Sequence, residues 1–176
     1  MRERSRPEEF AHTKSSKRAP FDEGVRSPIL IRWDGVVVPS TRRELVSSID
    51  IVPTLLIAAG LPESARAGMS GVDLLVPPNQ DRAVFGEIYP GDAGVLGRPE
   101  QDIAYRWVRK GDYKLIVTHG EKPWGGYLEG DALYHVAEDT AETENLISEA
   151  GLSSIEGDLR VLLDGWWAGT AVEETP

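Results

Sequence analysis

The stretch PILIRW, Pro28–Trp33, constrains this chain more than any other. Its apolar residues are consecutive, so a strand here is apolar on both faces, the pattern of a strand inside a parallel sheet covered on both sides. Such a strand needs neighbours. The short run DGVVVPS that follows turns away and carries a short second strand, and then comes VSSIDIVPTLLIAAG. In that segment Asp50 is a good N-cap, and Pro53 falls in the first turn, where its missing N–H is harmless. Leu55, Leu56, Ala58 and Ala59 continue the pattern and Gly60 ends it, which predicts a short buried helix over 50–59. One parallel strand and one helix do not make a doubly wound domain, so the first half reads as truncated.

Beyond a Gly-, Pro- and Ser-rich stretch at 61–82, the pattern changes to short strands. RAVFGEIY (82–89), YRWVRKGDYKLIVT (105–118) and ALYHV (132–136) are the clearest, with Gly111 at a hairpin turn in the second. The last element is a helix in which Ile155, Leu159, Leu162 and Trp166 share a face and Ser153 with Glu156 form a capping box. The expected fold is therefore α/β: the end of a mainly parallel sheet, followed by a small α+β subdomain made of a short antiparallel sheet and the C-terminal helix. The divisions expected are a lead-in over 1–13, the end of the α/β domain over 14–78, the subdomain over 79–168 and an acidic tail over 169–176.

A length of 176 residues suits one domain or one and a half, enough to bury a core. The formal charge of −10 argues against a nucleic-acid partner, since phosphate contact needs a basic face. No run approaches a membrane span, and the polar start MRERSRPEEFAHTKSSKRAP has no apolar segment of the kind a signal peptide carries. The absence of cysteine excludes disulfides, zinc thiolate sites and a cysteine nucleophile in this chain. Localisation is left open: periplasmic or secreted if a longer protein carries a signal peptide, otherwise cytoplasmic.

Five segments together resemble the sulfatase family, the arylsulfatase-like members of the alkaline phosphatase superfamily. They are KRAPFDEGVRSPILIRWDG, VSSIDIVPTLLIAAGLP, GVDLL, WVRKGDYKLI and ALYHVAEDTAETENL, in the family's order. Asp73, His135 and Thr140 depart from the family pattern, where serine, an acidic residue and proline stand. The resemblance implies a C-terminal portion. The Cys/Ser-x-Pro-x-Arg motif that becomes formylglycine is absent, as are the two segments that hold the family's calcium. Both cofactors are expected in the full-length enzyme, and none is expected to be bound by this chain, which is assigned no metal ligand. The expected partners are a sulfate-ester substrate and the missing N-terminal half of the sulfatase domain, with no nucleic acid and no membrane.

The resemblance also gives Lys17 a role. From composition alone it reads as a solvated loop lysine. At the family position it binds a sulfate oxygen and stabilises the leaving group, making it both the catalytic and the substrate-binding candidate. Lys14 is a weaker candidate because its spacing to Phe21 does not match. Asp22 and Glu23 are expected to hydrogen-bond the turn and to pair with Arg26, itself a buried tie to the sheet. Asp50 reads as a helix cap, His12, His119 and His135 as surface residues, the Gly-rich stretch around Trp124 as a loop, and AEDTAETE (137–144) as a solvated run. The functional expectation is part of a sulfate-ester hydrolase, inactive alone. The alternatives are a phosphonate or phosphodiester hydrolase of the same superfamily, or a non-catalytic module derived from a sulfatase, which the acidic charge slightly favours.

Overall fold

A computed structural model of the chain describes residues 18–91, 94–119 and 127–170. They fall into two compact units: Ser27–Val84 is one, and the residues up to Arg26 together with those from Phe85 onward are the other.

The second of these is built on a four-stranded sheet whose strands follow chain order: β1 (Ala83–Ile88), β2 (Tyr105–Lys110), β3 (Tyr113–Thr118) and β4 (Ala132–His135). β2 and β3 form an antiparallel hairpin in which Gly111, at φ +57°, takes the left-handed turn position that a side chain resists. β3 and β4 are also antiparallel. Side chains alternate across a strand, so the register sorts the sheet into two faces. Tyr105, Trp107, Arg109, Lys114, Ile116, Ala132 and Tyr134 share one face; Arg106, Val108, Leu115, Val117 and Leu133 share the other.

Both faces are covered. The first is closed by the loop of α1 (Asp22–Val25), which buries Ala19 and Phe21 in one cluster with Tyr105, Ile116 and Tyr134. Phe21 meets Tyr134 and Tyr127 edge-on, with centroids 6.0 and 6.4 Å apart. The second face lies against α3 (Ser153–Trp166), which packs on β2 and β3 and buries Leu159 and Leu163. A strand covered on both sides reads as a continuous apolar run, which is why YKLIV does not alternate.

In Ser27–Val84 the main element is α2 (Ile51–Ala58), preceded by a 3-10 turn at Ser48–Asp50. Gly60 ends it at φ +69°. The carboxylate of Asp50 is fully buried. It accepts the N–H groups of Ser47 (2.7 Å) and Val72 (2.9 Å), and both terminal nitrogens of Arg82 at 2.7 Å. Burial pushes this carboxyl up, but the Arg82 guanidinium and the two backbone donors outweigh it and hold it below the usual carboxylate range. Thr54 completes the joint, donating to the Asp50 carbonyl (2.7 Å) and accepting from Leu74 N–H (2.9 Å). The segment GVDLL is thereby fastened to the start of α2.

The α/β class, the strands of the meander, the hairpin and the C-terminal helix are as the pattern predicts. Five local readings differ. Residues 28–33 form no strand and expose Leu30, Ile31 and Trp33, because strand hydrogen bonds come from a neighbour and no described strand lies beside them. Residues 36–40 form none either; Val36 and Val37 donate back to the Trp33 carbonyl in a turn. α2 is not buried all round: Val52 and Leu55 face outward. At α3 the capping box does not form, since Ser153 donates to Ala150 and Glu156 pairs with Arg160 (2.9 Å). The inward residue is Leu163 rather than Leu162, and Trp166 stacks on Phe85 at 5.3 Å.

The close approach of β1 to β2 makes one further prediction. A Cβ added at Gly86 would lie 2.6 Å from the Trp107 ring. Gly86→Ala should therefore cost about 1–3 kcal/mol by overpacking, read as a lower urea midpoint. A companion Trp107→Leu should make the same alanine tolerable.

Candidate functional site

Arg109 and Lys114 stand directly opposite each other across β2 and β3. Like charges in that relation repel, and Lys114 is 0% exposed. Such a pair persists only if anions are supplied. Asp22 supplies one: its Oδ2 lies 3.1 Å from Arg109 and its Oδ1 3.0 Å from Lys114. Glu142, 1% exposed, supplies the other, 2.8 Å from the Lys114 ammonium. Its carboxylate also accepts the backbone N–H of Asp22. Trp107 lies beside the ammonium, with the ring centroid 5.4 Å from Nζ.

The box is balanced, with two cations and two carboxylates, and its parts come from three places in the chain. Burial raises the Glu142 carboxyl above its ordinary value, against the opposing pull of Lys114. The Tyr134 hydroxyl, opposite Lys114 on β4, is pushed up to about 12 by burial and by the charges of Glu142 and Asp139. Two described residues other than glycine have left-handed backbones, Arg18 (φ 72°) and Glu142 (φ 53°). One lies at the start of the α1 loop and the other on the carboxylate that holds it. Together with buried Phe21, this box locks residues 19–25 onto the sheet.

Several expectations are corrected here. Asp22 pairs with Arg109 and Lys114, and Arg26 is exposed, because the sheet face presents two cations that no local residue neutralises. The run 137–144 is solvated only in part: Asp139 caps the turn by accepting Thr143 and Glu144 N–H, while Glu142 points inward. Asp50 is the third residue of a reciprocal box with Ser47 and the anchor of Arg82, and it makes no cap hydrogen bond to α2. His119 is half-buried rather than on the surface. Lys17, Lys14, His12 and Trp124 lie outside the described residues.

His119 belongs to a second cluster. Its Nε2 accepts from Arg106 Nε at 2.6 Å, and Arg106 also donates to Asp164 (3.0 Å) and to the Trp167 carbonyl, tying α3 to β2. Burial first, and Arg106 second, lower the imidazole's proton affinity. A base lowered in the folded state stabilises the fold above its ordinary value of 6.5, and that contribution is lost as pH falls through and below 6.5. The urea midpoint should thus decline between pH 7.5 and 5.5, and His119→Gln should flatten that slope.

Among the described residues no three His, Asp or Glu side chains gather as metal ligands. The carboxylates of Asp22 and Asp50 are taken by cations and backbone donors. These residues do not fit a calcium site.

Residues 11–166 match the family model described as N-sulphoglucosamine sulphohydrolase, C-terminal. The chain belongs to the sulfatase family. Among its relatives, a sulfatase of Formosa agariphila is 30% identical over 139 residues, covering 73% of this chain and 24% of that protein. Bovine arylsulfatase A is 28% identical over 145 residues, covering 76% of this chain and 28% of the relative. In three dimensions the chain is similar to the phosphonate monoester hydrolase of Agrobacterium radiobacter, with a TM-score of 0.50 and 22% identity, over 73% of this chain and 26% of that one. That likeness concerns the fold alone. The sulfatase chain thus spans about a quarter of the length of the relatives it matches.

The strongest of the missed residues, Lys114, had a signal in the sequence: it is the one charge inside the apolar run YKLIV. Nothing local pairs it with Asp22, 92 residues away, or with Glu142.

Proposed function

We propose that this chain is the C-terminal part of an enzyme that hydrolyses sulfate esters, and that it contributes the substrate-binding lysine Lys17 and the subdomain that mounts it. The observation that carries the reading is the anchoring of residues 19–25. Residues 19–25 begin two positions after Lys17 and are locked to the sheet at Phe21 and at Asp22, in a chain matched to a sulphohydrolase C-terminal family model over residues 11–166. The chemistry suits a lysine. Breaking a sulfate ester develops negative charge on the sulfuryl and bridging oxygens, and a compact ammonium held in place stabilises that charge without reorganising. Lys114 and Arg109 do not compete for this role, since Asp22 and Glu142 already engage them.

In this reading the nucleophile and the calcium ligands belong to the N-terminal part of the protein, and the chain alone does not turn over substrate. A lysine without those groups behaves as a surface charge, worth about 0–1 kcal/mol. The test is hydrolysis of an aryl sulfate by the purified chain, and by the chain fused in place of the C-terminal portion of the Formosa agariphila sulfatase. The reading expects turnover by the fusion only, abolished or strongly reduced by Lys17→Ala. Turnover of an aryl phosphonate monoester with none of the sulfate would favour the phosphonate hydrolase reading.

A further inference from the structure

The chain leaves α3 in extended backbone at Trp167. Trp167 N–H still donates to the Leu163 carbonyl (3.0 Å), and its indole N–H closes a loop on the Thr170 carbonyl (3.1 Å). Within that loop Gly169 is buried against Arg106 and His119. It stands at φ +72°, and a Cβ there would collide with the His119 ring and lie 3.1 Å from Arg106 Nε. Only glycine lets residues 167–170 lie over this pair.

The pair beneath tolerates one protonation state. A guanidinium has donors and no acceptor, so the 2.6 Å contact from Arg106 Nε needs the lone pair on His119 Nε2. The same guanidinium, in a residue 4% exposed, holds the Trp167 carbonyl. A protonated ring donates from both nitrogens and sets a second cation against Arg106. Neither partner is free to withdraw: His119 N–H is bound to the Ala104 carbonyl (2.8 Å), and Arg106 is fastened to Asp164 on α3 (3.0 Å). Ahead of β4, Asp131 is shared between Thr118 and Arg160, the latter at 2.9 Å. The charges of Asp131 and Asp164 favour a protonated ring, but burial first and Arg106 second outweigh them. Trp167, Ala168, Gly169 and Thr170 bring no titratable side chain.

We propose that residues 167–170 form a pH-sensitive strap, which Arg106 holds closed while His119 is neutral and which protonation of His119 releases. The strap yields before the sheet does. β2 and β3 are held by their ladder, whereas the described hydrogen bonds from the strap to the rest of the chain run through Trp167. Release uncovers Arg106 and the charged ring together. In the open strap His119 returns to its ordinary value of 6.5, so opening is favoured as pH falls below 6.5, by at most about tenfold at pH 5.5.

The experiment labels the full chain with 5-fluorotryptophan and follows its fluorine NMR spectrum from pH 7.5 to 5.5. Single Trp→Phe variants assign Trp167 and Trp107, the latter on the opposite face of β2 and serving as the reference. As pH falls, the Trp167 signal should move toward its open position while that of Trp107 stays. The His119 ring protons should titrate with the same midpoint, below 6.5. His119→Gln, whose amide oxygen accepts from Arg106 at any pH, should keep the Trp167 signal closed at pH 5.5. Gly169→Ala should open the strap already at pH 7.5, and if that variant does not fold, the His119→Gln comparison still decides. A Trp167 signal that stays put while His119 titrates would overturn the proposal. So would a His119→Gln chain that follows the native pH course, or a folded Gly169→Ala chain that stays closed. Movement of all the tryptophan signals together would overturn it too, since the change would then be global unfolding.

Discussion

Lys114→Met should destabilise the sheet unit by about 3–5 kcal/mol, the cost of removing one partner from a buried ion pair. The reason lies in what is left behind. Lys114 has no exposed surface and neutralises Glu142 at 2.8 Å and Asp22 at 3.0 Å. Without the ammonium, Glu142 keeps only the Asp22 N–H within a buried site, and Asp22 keeps only Arg109. The deficit should fall as pH is lowered, because Glu142, already raised by burial, then takes up a proton. Adding Glu142→Gln to Lys114→Met should recover a good part of the loss, since the uncompensated charge is gone. Urea unfolding followed by tryptophan fluorescence measures each variant. A loss under about 1 kcal/mol for Lys114→Met, the range of exposed pairs, would show that the ammonium is solvated and that the box does not hold the α1 loop.

The second large effect is on catalysis. If, as proposed, the chain completes a sulfate-ester hydrolase, Lys17→Ala should lower kcat of the fusion by roughly 10²–10³, by analogy with removal of one preorganised oxyanion-hole donor, worth about 2.7–4 kcal/mol. Its effect on stability should be small, since Phe21 and Asp22 anchor the following residues without it. Lys14→Ala and His12→Ala should cost far less, as neither has the spacing to Phe21 that the family pattern requires. Steady-state turnover of an aryl sulfate and a thermal melt of each variant separate these outcomes. The contrast with Lys114→Met is the useful part: one lysine should alter rate at constant stability, the other stability first. Near-full turnover by Lys17→Ala would reduce the stretch before Phe21 to a turn.

The elements legible in the residues are those whose signal is local. The meander was read from short apolar runs and Gly111, and α3 from its apolar spacing, because hydrogen bonds within a helix and across a hairpin join near neighbours. Even there, local reading missed what a neighbour decides. Leu163 replaced Leu162 on the buried side because the surface of β2 and β3 chooses which stripe of an amphipathic helix it covers. PILIRW carries strand composition but forms no strand, since composition supplies side chains and only an adjacent strand supplies backbone partners.

The family is legible in the order of five segments. The means of holding the α1 loop could not be read there. Asp22 lies 92 residues from Lys114 and 120 from Glu142, and an acidic residue in a turn or a polar run looks the same whether it ends in water or in a buried ion pair. Only the folded sheet decides this, by placing Arg109 opposite Lys114 and so creating an excess of positive charge. That excess must be neutralised where water is excluded, and the carboxylates of Asp22 and Glu142 are the groups the fold brings to it.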